Sequence, residues 1–206
     1  MKLAEVEKHF GVTFPKKFHE IYETGAMEYL ELSLGEFQKV RDKYTNDPKA
    51  FLMMNGDCEP LFFEEIPKRS EELKEWLSWR AEDEGETLRE GIKLVPFAQT
   101  GGGDLYLFVY DSSTEPKIVL YRHDDYDDPL LCGRDFDEFL YYAMLDALQW
   151  DEDMMNGETW HCHLNYLSDE YRAKITGKSV EKPLEDFNEL GDELDRNAIA
   201  IFEEER

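Results

Sequence analysis

The segment LYLFVY, residues 105–110, offers no charged or amide side chain on either face. Successive side chains of an extended chain point to opposite sides. A strand of this composition is therefore stable only when covered on both faces, as a central strand is. What surrounds it reads as a unit. LVPFAQ runs into a Thr100-Gly101-Gly102-Gly103-Asp104 turn, and the strand follows. DSSTEP supplies a loop of turn formers, and KIVLYR returns as another strand. The acidic HDDYDDP comes next, and FDEFLYYAML closes the unit as a helix. The strands expected are Ile92 to Ala98, Leu105 to Tyr110 and Lys117 to Arg122.

Around this unit the apolar spacing predicts helices. Leu3, Val6 and Phe10 share one face and Gly11 ends it. Pro15 suits the first turn of a second helix with Phe14, Phe18, Ile21 and Tyr22 on one side. Glu28 to Leu32 reads as a short strand. Ser33 with Glu36 forms a capping box ahead of Leu34, Phe37, Val40 and Tyr44. LFFEEIP reads as a strand ending at Pro67. Ser70 precedes a helix whose Leu73, Trp76, Leu77 and Arg80 share a face. Asp135 and Glu138 form another capping box, and Phe136, Phe139, Leu140, Ala143, Met144 and Ala147 follow at helical spacing.

The run from Leu94 to Leu145 resembles the signature of the SUKH superfamily. The opening short helix, Pro-started helix and Gly-containing break resemble it too. The likeness covers residues 3 to 146, and the Gly-Asp pair at the start of the 105–110 strand matches the family pattern. It implies an α+β fold, with a mixed or mainly antiparallel sheet flanked by helices. Residues 1–146 would form this domain. Residues 147–206 would form an acidic C-terminal extension packed on it as a helical appendage; they hold 16 acidic and 6 basic residues, a net of −10. The family contains fungal regulators of cell-wall synthesis and many bacterial immunity proteins that bind toxin domains. The resemblance therefore implies a non-catalytic protein-binding domain. Its partner would be a toxin domain of nuclease or deaminase type. The alternative is a regulatory scaffold of cell-wall synthesis or another cytosolic process.

The net charge of −25 bears on partners. Affinity for nucleic acid comes largely from Lys and Arg displacing counterions from phosphates. Direct nucleic-acid binding is disfavoured, and so are anionic membrane surfaces. A basic protein partner is favoured, because opposite fields steer encounter. Acidity that serves only solubility is the competing explanation. MKLAEVEKHFG does not read as a signal peptide, and no run of about 18 apolar residues occurs. With three cysteines, Cys58, Cys132 and Cys162, the expectation is reduced thiols in a cytoplasmic protein. A monomer or weak homodimer is expected.

Chemical motifs are sparse. The glycine turn lacks the Lys-Ser/Thr of a phosphate loop, and a strand follows it where a helix is needed. His161-Cys162-His163 has no second ligand pair for zinc. It reads as an exposed His pair flanking a buried Cys. Asp124, Asp125, Asp127 and Asp128 do not follow calcium-loop spacing. No nucleophile elbow occurs. Trp76, Trp79, Trp150 and Trp160 read as packing residues. No catalytic residue, metal or cofactor is expected. The expected partner surface is the acidic loop Asp124, Asp125, Asp127 and Asp128, with Tyr121 and Tyr126 as aromatic anchors beside it. The competing reading of that loop is a solvated face.

Overall fold

The computed structural model describes residues 1–51, 57–124, 129–150, 155–176, 183–195 and 201–203. Helices α1 (Leu3–Phe10), α2 (Lys16–Glu23) and α3 (Leu34–Thr45) precede a short strand, β1 (Glu59–Pro60), and the long helix α4 (Ile66–Glu84). The meander β2 (Lys93–Gln99), β3 (Leu105–Tyr110), β4 (Lys117–Tyr121) and β5 (Leu130–Gly133) follows. Helix α5 (Phe136–Trp150) then leads to α6 (Glu158–Leu164), α7 (Asp169–Thr176) and α8 (Pro183–Asp195). The sheet is antiparallel throughout, in the order β1-β2-β3-β4-β5. This is the α+β arrangement that the sequence pattern and the resemblance imply.

Strand β3 lies at the centre and is buried along all but its last residue. On one face Phe108 meets Phe14, Phe18 and Phe136 with ring centroids 5.0–6.0 Å apart, and Tyr106 meets Phe139 at 5.5 Å. Helices α2 and α5 thus cover that side. On the other face Leu105 lies opposite Tyr121, and the Trp76 ring of α4 lies parallel to Tyr121, 6.3 Å away. The register of β2 against β3 shifts between Pro96 and Ala98, so Phe97 is an inserted residue. Such a bulge tolerates a proline, which has no N–H to give the ladder. It also brings Phe97 onto the α5 side, 4.2 Å from Phe108.

Two expected strands take other forms. Glu28–Glu31 is a 3-10 turn that buries both Tyr29 and Leu30. In LFFEEIP, Leu61, Phe62 and Phe63 are buried in succession. The Leu61 N–H donates to the Phe97 carbonyl of the sheet at 2.9 Å, whereas the Phe63 N–H donates to the Leu30 carbonyl at 2.8 Å. Pro67 opens α4 rather than closing a strand, so Ser70 lies inside that helix. Both halves of the capping box of Ser33 and Glu36 form. On α3, Phe37 and Tyr44 are buried, whereas Leu34 and Val40 are exposed.

The C-terminal helices share the core of the earlier domain, and α5 runs past residue 146 to Trp150. The Glu138 carboxylate, 1% exposed, anchors the junction. It accepts from the Arg134 N–H at 2.7 Å, from the Arg134 guanidinium Nε at 2.9 Å, and from the Tyr171 hydroxyl of α7 at 3.1 Å. Asp135 caps the Glu138 N–H at 2.9 Å. The expected reciprocal bond is thus redirected to the Arg134 amide. Arg134 also pairs with Glu193 of α8 at 3.0 Å. Residues 201–203 return beside α4, where Leu88 bridges Phe202 and the Arg80 guanidinium lies 4.3 Å from the Phe202 ring centroid. Gly133 is the tightest point of the α5 approach, since an added Cβ would sit 2.7 Å from the Phe139 nitrogen.

Burial alone would raise the Glu138 carboxyl, but the Arg134 side chain and amide outweigh it, and its pKa is lowered. A carboxylate depressed in the folded state stabilises above its unfolded pKa of about 4.3, and that stability is lost as pH falls through the folded value. Arg134→Met leaves the buried carboxylate without its cation and should cost about 1–3 kcal/mol. Urea denaturation at neutral pH measures this. The gap between wild type and Glu138→Gln should narrow as the pH drops below about 4. A pH-independent gap would show that the carboxylate charge contributes nothing.

Candidate partner-binding surface

The pairing of Leu105 with Tyr121 puts the β2–β3 turn and the start of the β4–β5 loop at one end of the sheet. Three hydrogen bonds build the turn. The Thr100 N–H donates to the Asp104 carbonyl at 2.9 Å, the Gly103 N–H to the Thr100 carbonyl at 3.0 Å, and the Asp104 N–H to the Thr100 hydroxyl at 3.1 Å. Gly103 has φ +97°, a conformation that side chains with a Cβ rarely adopt. The tight turn expected from three glycines is therefore present.

A carboxylate at the end of a turn, such as that of Asp104, can accept hydrogen bonds from the turn itself. The Asp104 carboxylate reaches mainly across the sheet end instead. It accepts from the His123 backbone N–H at 3.3 Å and lies 2.9 Å from His123 Nδ1. Within its own turn it accepts only from the Thr100 hydroxyl, at 3.4 Å. Trp76 of α4 packs beside His123 with ring centroids 5.3 Å apart. Asp124 follows, exposed. Asp104, His123 and Asp124 bring one ligand atom each within 4.8 Å of one another, which makes them the metal-competent group among the described residues. His161 and His163 are not part of it.

The expected site residues therefore separate. Asp124 is at the surface. Asp125, Tyr126, Asp127 and Asp128 lie outside the described residues. Tyr121 is corrected: at 3% exposed its ring is held between sheet and α4, out of reach of a partner. The inward phase of β4, which also buries Val119, is the reason. His161-Cys162-His163 is corrected as well. His163 is buried, with Nδ1 2.9 Å from the Thr159 carbonyl, and Cys162 is half-buried. Burial lowers the His163 pKa and favours its neutral form. The Cys58 thiol, also buried, is pushed well above the usual thiol range by desolvation, which disfavours the nucleophilic thiolate.

The tryptophans also divide. Trp160 is buried and Trp76 packs on the sheet, but Trp79 is 57% exposed. Trp79 falls outside the Leu73-Trp76-Leu77-Arg80 stripe, and that phase was readable in the sequence. The Asp104–His123 contact was not, since 19 residues separate the partners. At the other end of the sheet a cleft is lined by Arg89, Glu90, Gly91, Ile92, Asp111 and Ser112. Among the described residues, no helix is long and apolar enough to cross a membrane.

Gly103→Val should destabilise the fold by about 1–3 kcal/mol, since the cost is backbone strain at positive φ. The added Cβ itself has room, with His123 Cε1 4.0 Å away. Thermal melting measures the loss. An unchanged melting temperature would show that the turn accommodates a side chain there.

Comparison with known proteins agrees with the fold. A family model described as SMI1 / KNR4 family (SUKH-1) matches residues 2–141. No curated protein and no solved structure matched the chain. The matched segment covers more than half of the chain and ends within α5, so the chain belongs to the SMI1 / KNR4 (SUKH-1) family.

Proposed function

We propose that this SUKH-domain protein works by binding another protein, and that its partner is a basic toxin domain which it neutralises as an immunity protein. The observation that carries this reading is the sheet end. Asp104, His123 and Asp124 gather there at the start of the acidic HDDYDD sequence. Family membership and a net charge of −25 support it. Nuclease and deaminase domains act on an anionic polymer and tend to present cationic surfaces. An acidic protein seated on such a surface excludes the substrate by bulk and by charge, without a chemical step of its own.

The sheet end suits this task physically. The turn is braced by backbone hydrogen bonds, and Asp104 ties the start of the next loop to it. A surface braced before contact loses less entropy on binding than a mobile one. The carboxylate of Asp124 remains exposed, where it adds to the field that steers a cationic partner.

Co-purification from the native host, with mass identification of the captured protein, names the partner. The expected partner is basic, and its activity falls stoichiometrically as this protein is added. Association should accelerate as ionic strength drops, because exposed charges are screened over about 10 Å at 0.1 M salt. Replacing Asp124, Asp125, Asp127 and Asp128 by Asn should weaken binding about tenfold, or about 1.4 kcal/mol, with the melting temperature held or raised. A captured partner that is acidic, or whose activity is untouched, would remove the neutralisation reading.

A further inference from the structure

Helix α4 presents an outer face that no described residue covers. Trp79 stands on it, 57% exposed. Glu75, Glu82 and Asp83 lie at i−4, i+3 and i+4 from Trp79, so they surround the indole on the same helix face. All three are exposed, and none has an ion-pair partner among the described residues. The last turn of α4 contains no basic residue. Glu82, Asp83 and Glu84 therefore crowd the end of the helix where the dipole is already negative, an unfavourable place for anions. Two neighbouring carboxylates differ, since Glu72 pairs with Arg69 and Glu86, just past the helix, with Arg80.

We propose that this face docks an arginine-bearing segment of a basic protein partner, with Trp79 as the anchor and Glu75, Glu82 and Asp83 as the rim. Charge complementarity identifies the occupant. A cation there relieves both the mutual repulsion of the carboxylates and their conflict with the helix dipole. Arginine fits better than lysine, because a planar guanidinium stacks on an indole while its N–H groups reach flanking carboxylates. An aromatic ring beside charge is also the composition of interface hot spots. The face adjoins the sheet end, since Trp76, one turn before Trp79, packs on His123. The inference rests on the basic-partner reading and extends its surface from the loop onto α4.

The test uses the full chain labelled with 5-fluorotryptophan and two probes, an octa-arginine and an octa-lysine peptide, at near-physiological salt. The four Trp resonances are followed by fluorine NMR, and that of Trp79 is assigned by its loss in Trp79→Phe. The expected result is a shift of the Trp79 resonance and tighter binding of the arginine peptide. Trp79→Ala should weaken arginine-peptide binding about fivefold and erase its advantage over lysine. Glu75→Gln/Glu82→Gln/Asp83→Asn should weaken it about tenfold. These exposed substitutions should leave the melting temperature unchanged or higher. Peptide binding that ignores both α4 variants but falls when Asp124, Asp125, Asp127 and Asp128 become Asn overturns the α4 site and leaves the basic-partner reading standing. Binding of neither peptide overturns both.

Discussion

Burial of β3 on both faces obliges the chain to supply a layer on each side of the sheet. Leu105, Leu107, Phe108 and Val109 are all fully buried, each contributing about 1.5–3 kcal/mol relative to exposure. Helices α2 and α5 meet one face and α4 the other. The bulge at Phe97 serves the same requirement, because it turns an extra ring toward α5 where the aromatic packing is densest. Once both layers are in place, the ends of the strands are the parts of the sheet left free to carry surface loops.

A second constraint joins the family domain to the rest of the chain. Glu138 sits within the matched segment, yet Tyr171 of α7 completes its hydrogen bonds and Glu193 of α8 shares its Arg134 partner. Aromatic contacts add to this, with Tyr141 stacked 5.1 Å from Tyr171 and Tyr142 lying 5.0 Å from Phe187. The residues after 141 therefore bury part of α5 that a shorter chain would expose. A buried carboxylate is tolerable only while its acceptor sites are filled, so extension and domain depend on one another at this point.

Acidity is unevenly spent. Many carboxylates are paired along their own helices, as Lys16 with Glu20 and Lys174 with Glu170. Those of Glu75, Glu82, Asp83 and Asp124 have no such ion pair among the described residues. Exposed acidic side chains on α4 and Asp124 at the start of the β4–β5 loop are part of the net charge of −25. A surface of that sign favours a cationic partner over an anionic polymer, which is the physical argument behind the proposed binding role.

The local chemistry of residues 94–145 already specified the meander and the closing helix. A segment without a polar face, a run of three glycines and a helical apolar stripe each allow few conformations. The capping box at Ser33 and Glu36 was legible for the same reason. Tyr29-Leu30 and Leu61-Phe62-Phe63 were misread because short apolar runs do not distinguish a strand from a buried turn; only the surrounding helices decide. The burial of Tyr121 depended on the phase of β4 against α4. The Asp104–His123 contact depended on strand register, which brings residues 19 apart into one corner. The sequence by itself determined which segments must be buried and where the acidic residues lie along the chain. Tertiary structure alone decided which of those residues share a surface, because that depends on strand pairing and helix docking rather than on local composition.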